Sequence, residues 1–153
     1  MEHSEFEQLE EILGYTFQDK ALLRRALTHK TFAFEANTPL EYNERLEFLG
    51  DSVLNFVVAE ELYKSNRYFS EGELTRRRAN EVNNKLLAEK AKKMGIGTFI
   101  LFGRGEVKQN GAQNRTNLAN TLEAIIGAIY LDSGLDYVRT FVLEKLFTKE
   151  FQF

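Results

Sequence analysis

The stretch ERLEFLGDSVLNFVVAEELYKS, residues 44–65, decides the fold. It holds no Pro and spaces its apolar residues as a helix does, so it predicts one long helix starting near Asn43. At about 100° per residue, Glu44, Glu47 and Asp51 fall at about 0°, 300° and 340°, inside an arc of about 60°. Leu46, Phe48, Leu49, Val53, Leu54, Phe56, Val57 and Val58 cover almost every other direction. A helix that is apolar nearly all round is buried in a core or an interface. Carboxylates on it are costly, because two of them about 4 Å apart repel by about 4 kcal/mol at an effective dielectric of about 20. A divalent cation with hard oxygen ligands relieves that repulsion. The alternative is a solvated acidic stripe with Arg45 as its partner, and the pattern of this one helix leaves both open.

A second segment bears on the choice. NLANTLEAIIGAIYLD, residues 117–132, predicts another helix, with Glu123 as an acid among small and apolar residues. Asn120 lies three residues earlier, on nearly the same face. Gly127, four residues after Glu123, leaves room for a second backbone to come close. An acid on each of two apolar helices is how helical folds build oxygen-ligand metal sites. A core helix whose Glu123 caps or pairs with Arg is the other reading.

Outward from these two helices the pattern stays helical. Residues 4–13 place Phe6, Leu9, Ile12 and Leu13 at helical spacing, with Ser4 and Glu7 as a capping box and Gly14 as the stop. Asp19 caps a second helix carrying Leu22, Leu23, Ala26 and Leu27. Residues 30–42, with Asn37 and Pro39, read as a connection. Ser70 and Glu73 form a capping box that starts a helix into the Arg-rich stretch, continuing from Asn80 to Lys93 with Gly95 as C-terminal cap. Residues 97–103 read as helical or irregular rather than as a strand, and 103–117 as a flexible loop. Gly134 and Asp136 restart a last helix ending near Lys149.

Composition sets the outer bounds. A chain of 153 residues with 43% hydrophobic residues, 13 Phe and 6 Tyr fits one domain with a real core and excludes a disordered tail. There is no Cys, hence no disulfide, thiol nucleophile or Cys-ligated metal. No basic, apolar leader pattern opens the chain and no apolar run reaches the about 18–20 residues of a bilayer span, so the expectation is a soluble, cytoplasmic protein without membrane partners. The net charge of -3 argues against a nucleic-acid partner, but its distribution argues the other way. Residues 41–61 carry six acids against Arg45, while residues 73–93 carry seven Lys and Arg against three Glu. The first holds the candidate cation site; the second suits phosphates.

ERLEFLGDS (44–52) resembles the signature motif of the ribonuclease III family, the double-stranded-RNA endonucleases. Three further segments resemble the same family in the same order: ILGYTFQDKALLRRALTHKTF (12–32), EGELTRRRANEVNNKLLA (71–88) and LANTLEAIIGAIYLDSG (118–134). The resemblance implies an all-α endonuclease domain over residues 5–149, working as a homodimer, with no double-stranded-RNA-binding domain following it in this chain. It implies magnesium-dependent hydrolysis of double-stranded RNA, with manganese as a substitute, leaving 5′-phosphate and 3′-hydroxyl ends and short 3′ overhangs, in rRNA or mRNA processing. Glu47, Asp51 and Glu123 match the catalytic, metal-binding acids. Asn120 stands where the family's fourth acid is normally Asp, which implies a weaker ligand and slower cleavage. Phe48 matches the aromatic that enters the partner subunit, with Leu46 and Leu49 beside it at the dimer interface.

Glu44 and Glu71 match acidic positions of the RNA valley, and Arg76, Arg77, Asn80, Asn83 and Asn84 are the expected backbone contacts. His29 reads as structural. GRGEVKQNG (103–111) has GxG but lacks the GK[ST] of a P-loop, so it reads as a loop. RNA affinity without a companion domain is expected to be weak and salt-dependent. The competing expectation is a non-cleaving, RNA-binding scaffold of the same fold, favoured by Asn120.

Overall fold

The computed structural model describes residues 3–147 and Phe151, and among them the fold is helical. Helix α1 spans His3–Leu13, α2 Lys20–Leu27 and α3 Lys30–Glu35. The long helix α4 spans Glu44–Ser65, followed by α5 over Glu71–Glu81 and α6 over Asn84–Lys93. A 3-10 turn at Ile96–Phe99 leads to α7 at Arg104–Lys108 and a second such turn at Gly111–Gln113. Helix α8 spans Arg115–Ser133, α9 Leu135–Phe141, and a π-helical turn covers Val142–Leu146. The expected end near Lys149 lies outside the described residues. The only bridge between extended residues among those described joins Thr28 and Leu101, so 97–103 forms no sheet.

The two helices singled out by their acids form the centre. Helices α4 and α8 share the most extensive packing, and α8 in turn carries α6 and α2 on its flanks. From Leu118 to Ile129, all of α8 except Asn120 is buried. Leu54, Leu62, Leu122, Ile125, Ile126 and Ile129 are fully enclosed. The crossing is close because two glycines face it. A Cβ on Gly50 would stand 1.7 Å from the Glu123 carbonyl oxygen, and one on Gly127 2.4 Å from that of Leu46.

Several caps follow the sequence. The Asp19 side chain accepts from the Ala21 amide at 3.0 Å and Ser70 from the Glu73 amide at 3.2 Å. Gly95 takes the left-handed conformation, φ 73°, after α6.

Four expectations are corrected. Ser4 lies inside α1, which already includes His3, so it is not the N-cap. Residues 30–42 are not wholly a connection, because the His29 ring accepts from the Thr31 amide and starts α3. The helix through 80–93 is two helices: the chain leaves α5 at Val82, and Asn83 caps α6 by accepting from the Leu86 amide at 3.0 Å. The segment 103–117 is built rather than loose. Glu35 accepts from the Arg104 amide with both carboxylate oxygens at 3.1 Å, and Gly103 donates to Thr31 Oγ1 at 2.9 Å.

Candidate active site

Position on two helices gathers the acids. Glu44 and Glu47 lie in the first turn of α4, Asp51 one turn further along, and Glu123 with Asn120 on α8. A hollow of about 470 Å³ is lined by Glu44, Glu47, Phe48, Asp51, Asn84, Asn120 and Glu123. The close crossing at Gly50 sets the Glu123 backbone directly against the residue preceding Asp51.

The electrostatics are those of crowded carboxyls. Burial pushes the Glu123 carboxyl up to about 9, helped by its hydrogen bond to Asp51 and by the charges of Asp51 and Glu47. Burial also raises Glu47, with Glu44 and Asp51 adding to it. Glu123 is only 5% exposed, and without a counter-ion its burial favours the neutral form. Asn55 fixes Asp51 from one turn on, its Nδ2 donating to the Asp51 carbonyl at 2.8 Å and to Oδ1 at 3.3 Å.

All the donors are oxygens of carboxylates and a carboxamide, the set a hard divalent cation prefers. Among the described residues no three His, Cys, Asp or Glu side chains already close on one point. They ring a hollow instead, which suits an ion that keeps several of its waters. A cation there would offset both the burial and the neighbouring charges that disfavour the ionised form of Glu123.

The structure brings together Glu44, Glu47, Asp51, Asn84, Asn120 and Glu123. It does not bring Glu71, Arg76, Arg77 or Asn80 to this hollow. Arg77 is held by Glu73, through Nε at 3.0 Å and Nη2 at 2.8 Å, and lies over the Phe69 ring at 4.1 Å. Arg76 shares Glu73 at 3.4 Å with its side chain 67% exposed. Leu46 is buried inside its own chain, which leaves exposed Phe48 and half-buried Leu49 on the surface beside it.

A neighbouring cavity of about 360 Å³ shares Glu44, Glu47 and Asn120 and adds His29, Lys30, Gln109 and Thr116 among others. Its far wall comes from the segment read as a loop. The density of Asn, Gln and Gly in 109–117 was the available signal.

A family model described as ribonuclease-III-like matches residues 19–150. Ribonuclease 3 of Bdellovibrio bacteriovorus is 46% identical over 137 residues, 90% of this chain and 58% of that protein. Ribonuclease 3 of Vibrio vulnificus is 48% identical over 141 residues, 92% of this chain and 60% of that one. The chain thus spans about three fifths of the length of these curated relatives. A structure of the nuclease domain of ribonuclease III from Campylobacter jejuni, concerned with flexibility in a region involved in dimer formation, superposes with a TM-score of 0.86 at 43% identity. It covers 94% of this chain and 99% of that one. Dicer from Pichia stipitis superposes with a TM-score of 0.65 at 29% identity, over 90% of this chain and 57% of that one.

Proposed function

The chain belongs to the ribonuclease-III-like family, and on that premise we propose that it is an endoribonuclease that cuts double-stranded RNA by metal-dependent phosphodiester hydrolysis. The observation that carries the reading is the hollow between α4 and α8, where Glu123 is buried against Asp51 and Glu47. Glu47, Asp51 and Glu123, with the carbonyl oxygen of Asn120, would hold magnesium, or manganese in its place. When bound there, the metal supplies charge neutralisation at the phosphate and activates water for attack on phosphorus.

The chain's own groups do the rest. Asp51, steadied by Asn55, and Glu123 present their carboxyl oxygens to the hollow from two helices that cross closely at Gly50. A cation held by these residues would favour the ionised form of Glu123 against its burial and the neighbouring carboxylates. Asn84, at the start of α6, offers a neutral donor and acceptor to the RNA backbone at the hollow's edge. The products carry 5′-phosphate and 3′-hydroxyl ends. A homodimer would cut both strands and leave short 3′ overhangs, a product suited to rRNA or mRNA processing.

Incubation with duplex RNA, with and without magnesium, tests the reading against Glu123→Gln. Wild-type cleavage that needs magnesium, with a loss of about 100-fold or more in the variant, is the expected result. Binding without cleavage at any magnesium concentration would instead favour a non-cleaving scaffold, the reading that Asn120 supports.

A further inference from the structure

One imidazole ring joins three elements. His29 is half-buried ahead of α3, with the Phe102 ring leaning against it at 5.2 Å. Its Nδ1 accepts from the Thr31 amide at 3.3 Å and lies 2.8 Å from Thr31 Oγ1. A backbone amide can only donate, so Nδ1 carries a lone pair and the ring's one hydrogen sits on Nε2. The ring also bonds the Asn117 side chain, whose Nδ2 donates to Glu106 Oε2 at 3.3 Å and to the Gly111 carbonyl at 3.2 Å. That leaves the Asn117 carboxamide oxygen to accept from Nε2. The Thr31 hydroxyl in turn accepts from the Gly103 amide at 2.9 Å. The start of α3, both ends of the 103–111 segment and the first turn of α8 are thereby tied through His29. The fit is close: a Cβ on Gly103 would stand 2.8 Å from the Thr31 carbonyl oxygen, and one on Gly111 2.9 Å from Glu106 Oε2.

A proton undoes this arrangement at a single atom. A hydrogen on Nδ1 occupies the lone pair toward which the Thr31 amide and hydroxyl both point. The amide loses its acceptor and α3 its cap, and the hydroxyl that holds Gly103 must turn. The groups facing the ring pull both ways. Burial disfavours its charged form, Glu106 on α7 and the Asn117 bond favour it, Lys30 beside it opposes, and Glu44 on α4 favours. Glu47 lines the same cavity from α4. Burial prevails, and His29 sits below its ordinary value of 6.5. The closed segment therefore binds fewer protons than the released one. Closure is complete above about pH 6.5 and weakens as pH falls toward the folded value.

We propose that His29 is a proton-operated latch: neutral, it fastens the 103–111 segment against α3 and α8, and protonated at Nδ1 it lets that segment go. The latch needs neither RNA nor metal, so it stands apart from the endoribonuclease reading.

Amide hydrogen exchange from about pH 7.5 to about pH 5 tests it, read as protection factors so that the intrinsic pH dependence of exchange cancels. Wild-type protection at the Thr31 and Gly103 amides is expected to fall by at least about threefold, with about tenfold per pH unit as the ceiling for one proton. Protection at Ile125 and Ile126, in the core of α8, is expected to hold, which separates local release from global unfolding. His29→Asn keeps a side-chain oxygen able to cap α3 and does not titrate, so its protection at the same two amides should change by less than about twofold. In the wild type alone, ring nitrogen shifts should place the hydrogen on Nε2 at neutral pH and titrate with the same midpoint as the Gly103 protection. Flat wild-type protection overturns the latch. So does an equal fall in His29→Asn, a fall shared by Ile125 and Ile126, a neutral ring with its hydrogen on Nδ1, or two separate midpoints.

Discussion

At the scale of single residues, charge decides what the central hollow can do. Two magnesium ions would balance four carboxylates; of the proposed ligands Glu47, Asp51, Glu123 and Asn120, three are acids and one is a neutral oxygen, while Glu44 is a fourth acid on the hollow's wall. Asn120→Asp places a carboxylate on the half-buried wall of α8 and is expected to raise magnesium-dependent cleavage about tenfold or more, most strongly at low magnesium. Unchanged activity across a magnesium titration would remove Asn120 from the metal site.

A second acid works through structure. Asp132, at the end of α8, accepts from Tyr15 Oη at 2.7 Å and from the amides of Gln18 and Asp19 at 2.9 Å, pinning the turn between α1 and α2. Burial opposes its charge, but these bonds outweigh burial and hold its carboxyl below the ordinary value of 3.8. The folded chain therefore binds fewer protons there than the unfolded one. That stability is present above about pH 4 and is lost as pH falls through the folded value. Asp132→Asn is expected to lower stability by about 1–2 kcal/mol at pH 7 and to flatten the acid side of the curve. Urea unfolding from pH 2 to 7 reads both; an acid limb as steep as in the wild type would show that Asp132 does not contribute.

At the scale of elements, α4 and α8 position the site because they cross at glycine. A methyl group at Gly50 has no space, with backbone atoms of Glu123 and Gly127 at 1.7, 2.6 and 2.9 Å. Gly50→Ala must part the two helices that carry the acids. It is expected to cost about 3 kcal/mol or more and to weaken metal binding along with folding. Gly105→Ala is the control, since nothing lies within 4 Å of a Cβ on that helical residue. It is expected to be neutral or stabilising by up to about 1 kcal/mol. Equal urea midpoints for the two variants would mean that the crossing has slack.

These two helices were legible in the sequence because their burial leaves apolar residues on most faces, with the candidate acids Glu47, Asp51 and Glu123 set among them. Position alone then brought Glu47, Asp51 and Glu123 together. The breaks were less legible. Asn83 ends one helix and starts the next through a side-chain bond that competes with continued helix, a choice that local propensity does not decide. The 103–117 segment is ordered by partners distant in sequence, Thr31 and Glu35, which no local pattern announces.

At the scale of the whole molecule, the surface divides by chemistry. The basic run over α5 and α6 lies apart in sequence from the acids of α4, so a net charge of -3 coexists with a local excess of positive charge. One aromatic belongs to two places at once. Phe48 is 79% exposed, yet it lines both the acid hollow and a more apolar hollow of about 810 Å³ formed with Leu40, Tyr42, Leu49 and Leu131. Along the same helix, Phe56 is 50% and Tyr63 75% exposed, so α4 carries an aromatic face that its own chain leaves open. Large apolar side chains left open along one helix mark an interaction surface. A second copy offers both the aromatic and a hollow to receive it, the self-complementary arrangement a two-fold dimer requires. Phe48→Glu places a charge in that contact and is expected to turn a sedimenting dimer into a monomer. Because Phe48 also walls the acid hollow, cleavage should fall about 100-fold or more in the same variant. Phe48→Leu, which keeps an apolar anchor, should retain the dimer at micromolar concentration. A wild-type chain that sediments as a monomer at all concentrations, or a Phe48→Glu variant that stays dimeric, would place the partner surface elsewhere.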